Sequence, residues 1–110
     1  MGGKSSIAKG KKYEQELVKE FRKVFPNVER AIVGSRLDNS GVDLRIPNSK
    51  LRVQAKRNKS YAPISKIEEV KLEGIPALVT RGDNKRSVIC LYLDDFIKIA
   101  QDIGELYTDG

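Results

Sequence analysis

The pattern of apolar and polar positions predicts a helix near the start of the chain. Between residues 11 and 25 the apolar side chains recur at helical intervals, as they do in a helix with one face in a core. They are Leu17, Val18, Phe21, Val24 and Phe25. Pro26 and Asn27 follow directly and should end the helix.

The middle of the chain alternates between apolar and polar residues, as strands do. Residues 30–34 form an apolar run and predict a strand, whereas residues 37–41 are rich in turn formers and predict a loop. Two alternating segments, residues 42–46 and 51–56, are separated by Pro47, Asn48, Ser49 and Lys50. This arrangement predicts a β-hairpin.

Alternation also assigns the hairpin residues to faces. One face is apolar and consists of Val42, Leu44, Ile46, Leu51, Val53 and Ala55. The other is polar and consists of Asp43, Arg45, Arg52, Gln54 and Lys56. Asp43, Gln54 and Lys56 are therefore predicted to converge on one side of the sheet.

The second half of the chain predicts a helix, two strands and a last helix. Pro63 suits a first helical position, and the helix after it should end at Gly74. Residues 75–80 and 87–93 predict strands on either side of a polar turn. Asp94 can cap a helix whose apolar face is formed by Phe96, Ile97, Ala100 and Ile103. The order α-β-β-β-α-β-β-α predicts an α/β domain with a central mixed sheet flanked by helices.

Length and local composition predict one domain. A chain of 110 residues can build a single core. Residues 1–10 are small, polar and basic and are expected to be a flexible segment, residues 11–106 to be the domain, and residues 107–110 to be a tail. The chain lacks an apolar run of the roughly 18 residues that a membrane span needs, so we expect a cytoplasmic protein with no membrane partner.

The net charge and the residue types limit which ligands and which kinds of catalytic site the chain can have. The chain has 21 Lys and Arg against 15 Asp and Glu, a net charge of +6 that favours a polyanion such as nucleic acid, although a basic surface can also serve solubility alone. It has no His and one Cys, which argues against a zinc site or a His-based catalytic triad. Cys90 lies in an apolar run and is expected to be a buried, inert thiol.

Four polar residues are candidates for an active site. Glu14 lies beside the core-facing stripe of the first helix, so it needs either a cation or a Lys or Arg partner. Asp43 and the amide oxygen of Gln54 could bind Mg²⁺, and Lys56 could orient a water for phosphodiester hydrolysis. The alternative is an ordinary solvated sheet face, with Lys56 as a surface lysine.

Glu14, Gly41-Val42-Asp43 and Gln54-Ala55-Lys56 together resemble the PD-(D/E)XK nuclease superfamily. In that family an Asp at a strand end is followed, on the next strand, by an acidic residue, any residue and Lys. The helix with Glu14 and the loop Gly34-Ser35-Arg36 are most similar to archaeal-type Holliday junction resolvases, which are also found in phages. The resemblance covers residues 10–96 and implies a restriction-endonuclease-like fold.

The resemblance implies a role for each site residue. Asp43 would ligate Mg²⁺, or Mn²⁺, directly; Gln54 and the carbonyl of Ala55 would supply further ligands. Lys56 would assist the attacking water, and Glu14 would act through a metal-bound water or a second metal.

The resemblance also implies a serine and phosphate contacts. Ser35 would correspond to the functional serine of the resolvases, with Ser40 as the other match. Contacts to DNA are expected from basic residues, namely Lys11, Lys12, Arg30, Arg36, Arg57 and Lys59. Two positions depart from the family pattern: Val42 stands in place of Pro, and Gln54 in place of an acidic residue, which should weaken cation affinity.

Three functions remain open from the sequence. The first is a Mg²⁺-dependent endonuclease that acts on branched DNA. By its resemblance it would be a Holliday junction resolvase and a homodimer, or another small nuclease of the superfamily such as a replication-repair type. The second is a DNA-binding protein that keeps the nuclease fold and has lost catalysis through Gln54. The third is a structural subunit whose basic face contacts an acidic protein.

Overall fold

The computed structural model describes the backbone of residues 2–109 and the side chains of residues 7–109. In chain order its elements are α1 (Gly2–Phe21), β1 (Glu29–Arg30), α2 (Arg36–Asn39), β2 (Leu44–Arg45), β3 (Leu51–Arg57), a 3₁₀ segment (Ile64–Glu69), β4 (Ile75–Arg81), β5 (Val88–Leu91), α3 (Leu93–Ala100) and a 3₁₀ turn (Gly104–Leu106).

The strands form two sheets. β3, β4 and β5 make a three-stranded sheet in that order, in which β3 and β4 are parallel and β4 and β5 are antiparallel. β1 and β2 form a separate antiparallel pair. The parallel ladder places Lys56 beside Thr80 and Arg57 beside Arg81. The chain is therefore an α/β domain with a mixed sheet, as the apolar pattern predicts.

The core lies between α1 and the sheet. Its buried side chains come from α1, from β1 and β2 and their flanks, and from β3 and β4: Tyr13, Leu17, Val18, Val28, Leu44, Ile46, Val53 and Val79. Val42, Leu44 and Ile46 are all buried, which confirms the alternation predicted for this segment. Because α1 covers the face of β3 that carries Val53, Gln54 and Lys56 belong to the opposite face.

The predicted limits of the first helix are wrong at both ends. α1 begins at Gly2, within the segment predicted to be flexible, and it ends at Phe21. Residues 2–10 contain three Gly and two Ser, so helix propensity does not predict a helix there. Beyond Phe21 the chain turns, and Val24 is 72% exposed instead of lying on the core face. None of the helices of the described residues is long and apolar enough to span a membrane.

The predicted hairpin is also only partly formed. β2 pairs in a ladder with β1, and its link to β3 is the hydrogen bond that the Asp43 N–H donates to the Val53 carbonyl at 2.8 Å. Pro47 has no N–H to donate and Asn48 has a φ of 62°, so the strand ends before a second ladder can form. β1 is shorter than predicted as well, and Ile32 and Val33 are exposed.

Two other segments differ from the predicted elements. Residues 36–39, predicted to be loop, form the single helical turn α2, which begins after Ser35. The helix predicted after Pro63 is a 3₁₀ segment that ends at Glu69, because Val70 is already extended. Val70 is buried, so tertiary packing outweighs the helical pattern here.

The C-terminal part keeps its predicted elements but not their predicted burial. Tyr92, not Asp94, precedes α3, and Asp94 lies in the first turn. Phe96 and Ile97, from the predicted apolar face of this helix, are 40% and 50% exposed. Cys90 is half-buried instead of buried.

Candidate active site

Asp43 is fixed by hydrogen bonds to both of its neighbouring strands. Its carbonyl accepts from the Ala31 N–H at 2.9 Å, and its N–H donates to Val53 at 2.8 Å. Its carboxylate also bonds to β3, because Oδ2 accepts from the Ala55 N–H at 2.8 Å. The side chain is therefore held at the edge of β3, one residue from Lys56.

The surroundings of Asp43 disfavour its charge. Burial raises the pKa of Asp43 to about 6, and the negative charges of Glu14 and Asp38 act in the same direction. The Ala55 N–H and the Lys56 ammonium oppose that rise without cancelling it. A bound cation would favour the ionised form, so this carboxylate suits a cation ligand.

Asp43 lies in a cleft of about 900 Å³ between the N-terminal half of α1 and the end of β3. Six basic side chains line this cleft: Lys9, Lys11, Arg30, Lys56, Arg57 and Lys59. Three acidic side chains also line it: Glu14, Asp43 and Asp83. The excess of positive charge suits a polyanion, and the carboxylates mark where a cation could lie within it.

Glu14 reaches the cleft but is paired there. Its Oε1 accepts from Arg30 Nε at 3.0 Å, in a partly buried ion pair. This is the Lys or Arg pairing that the sequence left open as the alternative to a cation. Glu14 nevertheless lies close enough to raise the pKa of Asp43. Both residues therefore belong to one site, in which Arg30 already neutralises Glu14.

Gln54 does not line the cleft. It is 3% exposed, and its Nε2 donates to Glu69 Oε1 at 2.8 Å. Its Oε1 is one of two buried side-chain polar atoms in the described part of the chain that have no hydrogen-bond partner. A buried oxygen with no donor is the kind of atom that a cation can satisfy.

Lys56 connects Gln54 and its partner to the cleft. Its Nζ lies 3.5 Å from Glu69 Oε1, and it also lines the cleft beside Asp43. Glu69 is the site residue that sequence reasoning missed. Its position between two buried residues, Ile67 and Val70, gave no sign that it would turn back to β3.

The serine and arginine of the loop after β1 have other surroundings. Ser35 caps α2, since its Oγ accepts from the Asp38 N–H at 3.3 Å. Ser40, the other match, ends α2, and its carbonyl accepts from the Lys71 N–H at 2.8 Å. Arg36 lies in a separate hollow beside Arg52. The structure therefore does not bring these three residues together with Asp43 in the cleft.

The other basic residues predicted to bind DNA are mostly in the cleft. Lys11, Arg30, Arg57 and Lys59 line it, whereas Lys12 lies in a smaller hollow on the neighbouring side of α1. Arg57 is nearly buried, and its guanidinium forms an ion pair with Asp83 Oδ1 at 2.9 Å. Arg57 therefore shapes the cleft, and Lys11 and Lys59 are exposed cations within it.

Among the side chains of the cleft, the carboxylate of Asp43 is the one that suits a Mg²⁺ ligand best. Among residues 7–109, no group of three or more His, Cys, Asp or Glu side chains could hold a metal ion. Mg²⁺, however, is usually bound through one or two carboxylates, with waters and substrate phosphates as its other ligands. Asp43 is a carboxylate of that kind in the cleft, whereas the unpartnered oxygen of Gln54 lies outside the cleft lining. No protein-family model, curated protein or solved structure matches this chain.

Proposed function

We propose that this protein is a Mg²⁺-dependent endonuclease that hydrolyses phosphodiester bonds in branched DNA. The supporting observation is Asp43, a carboxylate hydrogen-bonded to β3 at 2.8 Å, beside Lys56 in a basic cleft. Such a cleft suits the backbone of a polyanion, and a cation-binding carboxylate within it suits phosphoryl chemistry. On this proposal the domain has a restriction-endonuclease-like fold and a PD-(D/E)XK site with Gln in the acidic position.

Each site residue has a role in this proposal. Asp43 holds Mg²⁺, or Mn²⁺, and the Gln54 oxygen and the Ala55 carbonyl are further candidate ligands. When bound, the cation supplies an activated water and stabilises charge on the phosphate. Lys56, an ammonium paired with Glu69, donates hydrogen bonds to a water or to a phosphate oxygen.

The remaining cations position the DNA. Lys11 and Lys59 are exposed at the cleft and contact phosphates, and Arg30 holds Glu14 in place beside them. Because phosphate contacts carry no base information, binding depends on the shape of the DNA and on salt concentration. A four-way junction is the proposed substrate, by analogy with the resolvases.

A homodimer is part of the proposal. Cleavage of two strands of a junction needs two sites, and one chain of this size carries one. β5 is an edge strand, and β5 and α3 expose apolar side chains: Val88, Ile89, Leu93, Phe96 and Ile97. Unprotected apolar edges are rare in monomers because they pair with other chains, so we assign this surface to a second copy.

A second candidate function is DNA binding without catalysis. Two observations favour it: Gln54 carries no charge in the acidic position of the motif, and Arg30 already neutralises Glu14. A protein with this second function would bind four-way junctions in EDTA and would cut none of them in Mg²⁺.

The test is cleavage of a labelled four-way junction and its matched linear duplex in Mg²⁺, Mn²⁺ or EDTA. We expect the wild type to cut the junction in either cation, and Asp43→Asn or Lys56→Ala to reduce cutting by at least about a hundredfold. Lys71→Ala and Asp94→Asn are the matched controls, because both residues are exposed and lie outside the cleft, and they should cut normally. Cutting that survives Asp43→Asn would overturn the site, and junction binding without any cutting would establish the second function.

A further inference from the structure

A second, smaller hollow adjoins the cleft on the neighbouring side of α1. It has a volume of about 320 Å³. Four basic side chains and one acidic side chain line it: Lys9, Lys12, Arg57, Arg81 and Glu16. Lys9 and Arg57 also line the cleft, so the hollow and the cleft share a wall. The excess of positive charge in the hollow suits an anion.

The end of the parallel ladder brings two arginines to this hollow. Arg57 and Arg81 are the last residues of β3 and β4 and are partners in the ladder. Neighbouring positive charges repel each other unless other groups offset them. Asp83 offsets Arg57 in an ion pair at 2.9 Å. The offset of Arg81 is weaker, because Glu16 Oε2 lies 3.8 Å from its Nη1, which is too far for a hydrogen bond.

The guanidinium of Arg81 is fixed in place, but its donors are unused. Its Cζ lies 5.7 Å from the centroid of the Tyr13 ring, which is a cation–π distance. Tyr13 is itself buried, and its hydroxyl shares a hydrogen bond with Ser87 Oγ at 2.8 Å. Arg81 Nε is buried without a hydrogen-bond partner, and within the described residues the other N–H groups of the guanidinium have none either. The protein therefore holds a set of donors for which it supplies no acceptor.

Lys12 adds a second open charge to the hollow. It is exposed on α1 and makes no hydrogen bond or ion pair within residues 7–109. Its ammonium can therefore turn to a ligand without breaking a contact. A phosphate can accept from a guanidinium through two of its oxygens and from an ammonium through a third. Lys12 and Arg81 together thus match one phosphate group.

We infer that the smaller hollow is a second phosphate site, in which Arg81 and Lys12 hold one phosphate of the DNA that binds in the cleft. This inference rests on the proposed function for its ligand, DNA, and extends it to a contact outside the cleft. The wall that Lys9 and Arg57 share supports it, because a DNA backbone that leaves the cleft on this side meets the hollow next. Such a contact adds affinity and carries no base information.

The salt dependence of DNA binding in EDTA tests this inference, because the slope of log K against log salt counts the phosphates that a protein neutralises. With a labelled four-way junction, we expect the double variant Lys12→Gln/Arg81→Gln to lower this slope by about 1, the value for one phosphate. Either single variant should lower it by less, because the remaining cation still neutralises that phosphate. The matched control, Lys50→Gln/Lys71→Gln, removes two exposed charges outside both cavities and should keep the slope of the wild type. An unchanged slope in the first double variant, or a fall of about 2, would overturn the inference.

Charge reversal at Lys12 gives a second test, which decides the matter should the variants of Arg81 fail to fold. Lys12 is exposed, so Lys12→Glu should keep the circular dichroism of the wild type. Its carboxylate would pair with Arg81 in place of a phosphate, and we expect junction binding to weaken by at least about tenfold. Lys71→Glu reverses the same charge outside the hollow and should stay within about threefold of the wild type. Equal losses in the two variants would overturn the inference.

Cleavage and a free anion separate this inference from its alternatives. If the double variant Lys12→Gln/Arg81→Gln loses one phosphate contact and the wild type cuts no DNA in Mg²⁺, the phosphate site is supported and the endonuclease is not. If the wild type cuts junctions while the double variant keeps its salt slope, the endonuclease is supported and the phosphate site is overturned. A rise in unfolding temperature with inorganic pyrophosphate in the wild type alone, together with an unchanged salt slope, would assign the hollow to a free anion and overturn the inference.

Discussion

Asp43 is held in surroundings that disfavour its ionised form. Burial, aided by the charge of Glu14, raises its pKa from the ordinary 3.8 to about 6. Each pKa unit corresponds to about 1.4 kcal/mol, so at neutral pH the ionised carboxylate destabilises the metal-free protein by about 3 kcal/mol. The same surroundings increase the gain when a cation binds. The surroundings of Asp43 therefore lower the stability of the metal-free protein and strengthen the binding of a cation.

We predict that Asp43→Asn stabilises the metal-free protein at pH 8 and not at pH 4. Because the folded pKa is raised, Asp43 contributes stability below about pH 4, and this contribution is lost as the pH rises through about 6. Asn keeps an acceptor for the Ala55 N–H and never ionises, so the gain at pH 8 should be about 1–3 kcal/mol. Urea unfolding in EDTA at both pH values measures it. An equal effect at the two pH values would contradict the raised pKa.

Gly41 and Gly34 allow a matched comparison of two substitutions to Ala. Both have positive φ, 78° and 80°, but a Cβ on Gly41 would meet the Glu69 backbone at 2.2 Å, whereas a Cβ on Gly34 would meet nothing within 4 Å. Gly34→Ala should therefore destabilise by about 1 kcal/mol, from backbone strain alone. Gly41→Ala should destabilise by at least about 3 kcal/mol, because the 3₁₀ segment must also move. Equal urea midpoints for the two variants would contradict the close approach.

Some of the site residues could be predicted from the sequence and others could not. Alternation along residues 42–46 and 51–56 was enough to place Lys56 near Asp43, because it depends only on local geometry. Glu69 could not be predicted. It reaches Gln54 because the 3₁₀ segment packs on Gly41, which is a contact between distant parts of the chain.

At the scale of elements, a strand could be predicted where the residues within it determine it, and not where contacts with distant residues do. β4 and β5 lie close to their predicted positions, since an apolar run between polar turns indicates a strand by itself. The pairing of β2 with β1 instead of β3 depends on the long-range packing of Leu44 and Ile46 under α1. The apolar pattern of a single sequence does not indicate which strand β2 pairs with.

We predict that Ser35 acts through α2 and not on the substrate. Ser35→Ala removes the hydrogen bond to the Asp38 N–H and should destabilise the protein by about 0.5–1 kcal/mol, because capping residues contribute that much. Ser35→Asp restores a capping acceptor and should regain that stability. Thermal unfolding measures both variants, and junction cleavage by both should match the wild type. A large loss of cleavage in the stable Ser35→Asp variant would restore the catalytic role implied by the resolvases.

At the scale of the molecule, charge is divided between two parts of the chain. Residues 93–110 contain five acidic residues and one basic residue, whereas the first 92 residues contain 20 basic and 10 acidic residues. These counts give net charges of −4 and +10, which sum to the +6 of the whole chain. None of the residues of α3 lines the cleft. The acidic end therefore suits a protein partner and not DNA.

We predict that Ile97→Lys disrupts a homodimer. Ile97 is 50% exposed on α3, and a charge there would be buried against a second copy. Light scattering should show the wild type as a dimer and Ile97→Lys as a monomer, with unchanged circular dichroism. Ile64→Lys is the matched control, because Ile64 is 72% exposed outside β5 and α3 and should leave the dimer intact. A monomeric wild type at micromolar concentration would contradict the assignment.

The contacts that assemble the site join distant parts of the chain, which has a consequence for folding. Tyr13 and Ser87 share a hydrogen bond across 74 residues, and β3 pairs with a strand that follows it only after a long connection. Chains with such non-local contacts must close large loops before burial compensates, so they fold more slowly than chains whose contacts are local. A nascent chain that has not yet produced β4 already carries the basic helix α1. It lacks the sheet that brings Asp43 and Lys56 together, so under the proposed function binding of nucleic acid would precede cleavage during synthesis.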